Sequence, residues 1–185
     1  DTFIDNSINS ISNKPVALTR NLVKAVMKQE HDPNQDWEKQ LSPCGAVGLM
    51  QLIPDTAREL GLSVPSYGTS SPSQCSGNKN VKDNNCRLYQ ELNCKPNEDQ
   101  RFNAQDSVKA GTLYLSQQLN TFNGDKRLAV AAYNAGPGTV NERCKKGYNA
   151  CESSLRQETQ LYVRNILGYE ACLILGYEAC LDTLT

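Results

Sequence analysis

The stretch from Leu22 to Gly61, LVKAVMKQEHDPNQDWEKQLSPCGAVGLMQLIPDTARELG, constrains the fold of this chain more than any other. Leu22, Val26 and Glu30 recur four apart, and Val23, Met27 and Glu30 four and three apart. Those are the spacings of one face of an α-helix. The pattern predicts an amphipathic helix whose last turn places a carboxyl on the apolar face. A carboxyl among apolar groups loses hydration, which favours its neutral form and raises its pKa. An acid still protonated near neutral pH can give its proton to a leaving group. The alternative for Glu30 is a helix-end side chain turned to water. After a polar loop comes a glycine-punctuated apolar run, GAVGLMQL. Gly45 and Gly48 have no Cβ, so backbone can approach closely there or take φ > 0.

The rest of the chain bounds the possibilities. At 185 residues it suits one domain, residues 1–185, burying roughly 70% of its unfolded surface. A net charge of −1 gives no basic footprint for nucleic acid or an anionic membrane. The apolar runs Leu128–Tyr133 and Ala171–Tyr177 fall well short of the ~20 residues that span a bilayer. No signal peptide is recognisable, and Asp1 reads as a mature or trimmed start. Eight cysteines, no two within five positions, exclude zinc-ribbon and C-x-x-C pairs. Their even count favours disulfides and an oxidising, extracytoplasmic compartment over a set of buried cytosolic thiols. With His31 as the single histidine, His-rich metal sites are excluded and no cofactor is implied.

Taken in order, Ile4, Ile8 and Ile11 predict a first helix within Asp1–Lys14, ended before Pro15. Pro15–Gln29 is the helix that delivers Glu30, and Asp32-Pro33 stops it. Asn34–Leu41 reads as a polar loop with the only tryptophan, Trp37, which either stacks on a sugar ring or anchors packing. Asp55–Leu60 predicts a short helix, with Asp55 as N-cap and Gly61 as C-cap. Leu62–Gln100 is rich in Ser, Asn, Gly, Lys and Pro and carries Cys75, Cys86 and Cys94. It reads as an insertion at about 62–100, stapled by disulfides because it cannot build a core. A partner-binding arm is the other reading.

Ser107–Phe122 predicts an amphipathic helix closed by Asn123-Gly124, and Asp125 caps the next. Leu128–Tyr133 is apolar all round, so that helix is central, and Asn134–Gly138 breaks it. Cys144 and Cys151 bracket a Lys- and Gly-rich loop and are candidates for a local bridge. Ser154–Leu173 predicts the last helix, with Leu155, Thr159, Tyr162, Ile166 and Tyr169 on one face. The octapeptide ILGYEACL occurs twice, at Ile166–Leu173 and Ile174–Leu181. Eight residues rotate a helix by about 80°, so the two copies cannot present the same face to one core. If both are helical, Cys172 and Cys180 lie about 12 Å apart, too far to bond each other.

Four stretches carry a family resemblance: the Glu30 helix, GAVGLMQLIPDTA at Gly45–Ala57, AVAAYNAGPGTV at Ala129–Val140 and ETQLYV at Glu158–Val163. In this order, over most of Lys24–Ile166, they resemble the signatures of the soluble lytic transglycosylases, glycoside hydrolase family 23. The resemblance implies a mainly α, lysozyme-like SLT domain with the Cys-rich stretch as an insertion. It implies cleavage of the β-1,4 bond between N-acetylmuramic acid and N-acetylglucosamine in peptidoglycan glycan strands. Glu30 would be the catalytic acid and then base, forming a 1,6-anhydro product. Ser42 of the Ser-Pro-x-Gly turn, Gly48 and Gln51 would line the sugar cleft. Tyr133 and Asn134 would bind the N-acetyl sugars, and Tyr162 matches a tyrosine whose hydroxyl lies near the acid. His31 departs from the family's usual serine; the reading here is that it faces solvent. A hydrolytic muramidase of goose-lysozyme type, with Asp32, Asp36 or Glu38 activating water, is the nearest alternative. A non-catalytic glycan-binding module in a secretion or conjugation apparatus is the alternative from another class.

Overall fold

A computed structural model describes residues 1–38, 40–42, 45–65 and 97–176. The insertion's three cysteines, Pro43, Cys44 and most of the second octapeptide lie outside the described residues. Among the described residues the regular elements are helices, with only isolated β-bridges pairing Val47 to Leu41 and to Leu52. No helix among them is long and apolar enough to cross a membrane. The chain divides into two compact units, one of Asp1–Gln29 with Thr112–Thr185, the other of Glu30–Gly111.

In the first unit α1 spans Thr2–Asn9, five residues short of the predicted Lys14. Ser10 takes the C-cap, and its Oγ donates to the Ser7 carbonyl at 2.7 Å, a local bond that competes with helix continuation. Helix α2, Arg20–Glu30, starts five residues later than predicted. Thr19 explains the start: its Oγ1 accepts from the Leu22 N–H at 3.1 Å, as an N-cap does. Leu22, Val23 and Val26 of the predicted stripe are fully buried, as is Ala25, whereas Met27 is half-buried.

Helix α4, Ala104–Thr121, ends in Asn123 and Gly124, both at positive φ, with the Gly124 N–H on the Leu119 carbonyl at 2.7 Å. Asp125 then caps α5, Lys126–Ala135, its carboxylate accepting from the Arg127 and Leu128 N–H groups. Every residue of Ala129–Tyr133 is buried, and α5 packs against α6, Pro137–Arg143, and α8, Gln157–Ile174. The break comes at Gly136, whose φ of 84° suits a residue without Cβ, and Pro137 opens α6. Cys144 and Cys151 form a disulfide around α7, Tyr148–Cys151, and Cys172 is disulfide-bonded too. The predicted face of α8 is buried, together with Glu170, whose carboxylate accepts from Thr19 Oγ1 at 3.1 Å and Lys126 Nζ at 2.6 Å.

The first residues of the second octapeptide depart from those of the first. Ile166 of the first is fully buried, whereas Ile174 of the second is 65% exposed and ends α8. Gly168 is helical and Gly176 sits at φ 73°. Ile174 is thus rotated off the face that buries Ile166, and the helix stops there.

In the second unit α3 is Pro54–Glu59. Its N-cap is Ile53, not Asp55: Pro54 occupies the first helical position, where a missing N–H is harmless. Asp55 falls in the first turn and pairs with Arg58 at 3.0 Å. The ends of the insertion meet, since Gln100 N donates to Ser63 O at 3.0 Å and Ser63 N to Gln100 Oε1 at 2.6 Å. The insertion's last residues are not all surface. Asp99 and Arg101 are a fully desolvated ion pair at 2.6 Å. Arg101 Nη1 also donates to the Gly45 and Leu52 carbonyls at 2.8 and 2.9 Å, so the guanidinium underpins the glycine run. A Cβ on Gly48 would stand 2.1 Å from the Arg101 carbonyl oxygen, and one on Gly111 2.4 Å from Met50 Cβ. These two glycines let three segments of backbone pack at close range.

Candidate active site

Glu30 is the last residue of α2 and is half-buried, after a run whose earlier apolar residues are fully buried. The backbone just beyond Glu30 is fixed by Gln40, a side chain that the sequence pattern left in a polar loop. Gln40 is 1% exposed. Its Oε1 accepts from the Asp32 N–H at 3.0 Å, and its Nε2 donates to the Gly48 carbonyl at 3.0 Å. The Gly48 N–H returns a bond to the Gln40 carbonyl at 3.0 Å. Gln40 thus ties the backbone two residues beyond Glu30 to the glycine run. No periodicity marks such a residue, which reads as one more polar position in the loop after Trp37.

The glycine run is a set of tight turns. Ser42 Oγ accepts from the Ala46 N–H at 3.0 Å, and the Gly45 N–H donates to the Ser42 carbonyl at 3.0 Å. Gly48 sits at φ 75° and Gln51 at φ 46°, an uncommon region for a residue with a side chain. Gln51 Nε2 donates to the Gly48 carbonyl at 2.9 Å and the Gln40 carbonyl at 3.3 Å. Both amide hydrogens serve the loop, so Gln51 would offer a substrate its acceptor oxygen. Ser107 Oγ accepts from the Met50 N–H at 3.3 Å beneath the run. The second unit therefore ties Ser42, Gly48, Gln51 and the backbone two residues beyond Glu30 into one hydrogen-bonded framework.

The acids of the loop differ in their surroundings. Asp32 accepts from the Asn34 N–H at 2.9 Å, Asn34 Nδ2 at 3.0 Å and Gln35 Nε2 at 2.8 Å. The Asn34 backbone N–H first, and then the Gln35 amide, hold its carboxyl below the usual range. Asp36 and Glu38 are exposed. His31 does not simply face solvent: its ring stacks on Trp37 with centroids 3.7 Å apart and planes 10° apart, and its Nδ1 is buried without a hydrogen-bond partner.

In the first unit Tyr133 and Asn134 lie on the last turn of α5. The Tyr133 ring is buried and tilts against Tyr114 at 5.1 Å. Asn134 Oδ1 accepts from the Thr159 hydroxyl of α8 at 2.7 Å, which orients the amide. Tyr162 lies one turn further along α8 and is buried. No group of three His, Cys, Asp or Glu among the described residues is placed to hold a metal ion.

Residues 8–155 match the transglycosylase SLT domain family. Over 164 residues the chain is 30% identical to the soluble lytic murein transglycosylase of Escherichia coli K12, covering 83% of this chain and 20% of the relative. It is 27% identical over 127 residues to the peptidoglycan transglycosylase gp16 of Escherichia phage T7, covering 68% of this chain and 7% of that one. Among solved structures it resembles the 70 kDa soluble lytic transglycosylase of Escherichia coli, with 27% identity, TM-score 0.60, and 96% of this chain against 25% of that one. It also resembles an inactive glutamate-to-glutamine mutant of the lytic transglycosylase Slt from Pseudomonas aeruginosa, with 25% identity, TM-score 0.62, and 95% of this chain against 24% of that one. The chain spans about a fifth of the length of the murein transglycosylase it matches.

Proposed function

The chain belongs to the transglycosylase SLT domain family, and on that premise we propose that it is a lytic transglycosylase of peptidoglycan with Glu30 as its acid and base. The observation that carries this reading is the position of Glu30. It closes an amphipathic helix, half-buried, and the chain beyond it is tied through Gln40 to the glycine run of the second signature. A carboxyl so placed is held still and partly shielded from water, as proton transfer to a leaving group requires.

Glu30 protonates the glycosidic oxygen between N-acetylmuramic acid and N-acetylglucosamine as the bond to C1 breaks. The N-acetyl carbonyl of the muramic sugar stabilises the developing charge at C1. Glu30, now a carboxylate, takes the proton of that sugar's C6 hydroxyl, whose oxygen closes on C1. The product is a 1,6-anhydro sugar, and no water is consumed. One carboxylate suffices because the substrate supplies the nucleophile that a second carboxylate or an activated water provides in other glycosidases. Ser42, Gly48, Gln51 and Tyr162 position the glycan, and Tyr133 and Asn134 bind its N-acetyl sugars. The substrate places the protein outside the cytoplasmic membrane, where its disulfides persist.

A hydrolase would need a base to activate water. Asp32 is a weakened one, since the donors that lower its pKa also lower its basicity. Asp36 and Glu38 are exposed, and one oxygen of Asp36 is occupied by the Glu38 N–H. The test is Glu30→Gln, which keeps the shape but cannot exchange the proton. Release of soluble sugar from purified peptidoglycan should fall by about 10²–10⁴ with folding intact. Near-normal turnover would remove Glu30 from the mechanism.

A further inference from the structure

We propose that Trp37, stacked on His31, is a carbohydrate platform that takes one pyranose ring of the glycan strand, an inference that rests on the glycan-cleaving reading above. The two rings are nearly parallel at 3.7 Å, so the imidazole covers one face of the indole. Trp37 is nonetheless 41% exposed. A ring that stacks on Trp37 would therefore meet the indole face opposite the imidazole. A tryptophan retained only for packing would bury that area, as tryptophans on average do.

The platform is held still before anything binds. Gln35 Oε1 accepts from the Leu41 N–H at 2.9 Å and its Nε2 donates to Asp32 Oδ2 at 2.8 Å, which closes the loop that carries Trp37. Asp36 Oδ1 accepts from the Glu38 N–H at 3.0 Å, a turn with Trp37 at its centre. The Asp32 N–H on Gln40 fixes the loop's first end. An aromatic face ordered in advance binds at low entropic cost.

The surroundings select the occupant. Asn34, Asp36 and Glu38, all within three residues of Trp37 in the chain, are exposed and carry acceptors. A pyranose has one face of C–H groups and a rim of hydroxyls, so it meets an apolar plate edged with acceptors on both counts. The carboxylates of a peptide stem would instead be repelled by Asp36 and Glu38. His31 directly follows Glu30 in the chain, so the ring bound here belongs to the strand being cleaved rather than to a distant anchor.

Trp37 is the only tryptophan, so its fluorescence reports this site alone. The Glu30→Gln variant of the full chain is titrated with chitotetraose, a soluble β-1,4-linked N-acetylglucosamine tetramer, by emission and by calorimetry. The proposal expects a saturable emission change whose midpoint matches the calorimetric one. In otherwise wild-type protein, Trp37→Ala should raise KM on peptidoglycan by about 3- to 10-fold, the range of one aromatic contact, with less effect on kcat, and Trp37→Phe should recover part of it. Calorimetric saturation with unchanged emission, or an unchanged KM in folded Trp37→Ala, would overturn the platform and leave the enzyme reading standing. No binding by calorimetry, together with no sugar release from peptidoglycan by the wild type, would overturn both.

Discussion

Replacing Gln40 by methionine keeps its volume and removes its two side-chain hydrogen bonds. The Gly48 carbonyl then still accepts from Gln51 Nε2 at 2.9 Å and the Gln51 N–H at 3.2 Å, so only the net worth of one bond is lost there, about 1 kcal/mol. The Asp32 N–H loses the acceptor it has in Gln40 Oε1, which costs about 1–3 kcal/mol when the donor is buried. Asp32 is half-exposed, so water recovers part of that, and the methionine gains some apolar burial. The balance is a destabilisation of about 2 kcal/mol, or a Tm lower by about 4–8 °C for a chain of this size. Thermal unfolding followed by circular dichroism measures it. Gln40→Glu sharpens the test. The introduced carboxyl can donate to the Gly48 carbonyl only while protonated, so its folded pKa is raised above the unfolded value of about 4.3. Its contribution is then present below that value and lost as pH rises through the folded pKa, and this variant should approach wild-type stability in acid. A Gln40→Met Tm within about 1 °C of wild type would refute the clamp, as would a Gln40→Glu deficit that does not shrink on acidification.

Gly48→Ala combines a positive φ with a Cβ 2.1 Å from a backbone oxygen, so it should cost about 2–5 kcal/mol and be the least tolerated change in the glycine run; chemical denaturation midpoints report it. Asp32→Asn should remove a stabilisation that is present above the carboxyl's unfolded pKa and fades as pH falls, because its folded pKa is depressed; the Tm gap between wild type and variant should close on acidification. Replacing Cys144 and Cys151 together by alanine opens a bridge of sequence separation 7 and should cost about 2.5 kcal/mol in the chain-entropy account, read from the same denaturation curves.

Where local chemistry decides the structure, the sequence was readable. Asp125, Asn123-Gly124 and Gly136-Pro137 each mark a helix boundary through a cap, a left-handed turn or a missing N–H, and each marks it in the structure. The buried faces of α2, α5 and α8 follow from spacing, and the Cys144–Cys151 bridge from a short loop. The features that stayed hidden depend on partners remote in sequence. Arg101 is fully buried by contacts to Gly45 and Leu52, about fifty residues away, though composition placed it beside a surface insertion. Gln40 reads as one more polar loop residue until Asp32 and Gly48 flank it. His31 was assigned to water because nothing in the sequence pairs it with Trp37. The early stop of α1 and the late start of α2 turn on the hydroxyls of Ser10 and Thr19, which a hydrophobic pattern does not register. For the candidate site, the motifs named the candidates, and the structure shows the framework that holds Ser42, Gly48 and Gln51.

The chemistry assigned to Glu30 leaves its mark on the product. If the muramic sugar's own C6 hydroxyl attacks C1, every cleaved strand ends in a 1,6-anhydro ring, one water lighter than a hydrolysed end and unable to be reduced by borohydride. The measurement is mass spectrometry of the sugars released by the wild-type chain from purified peptidoglycan, before and after borohydride treatment. The account predicts anhydro ends as the main product, unchanged in mass by the reductant, and their loss in Glu30→Gln. Reducing ends as the main product would mean that water is the nucleophile and would contradict the transglycosylase mechanism.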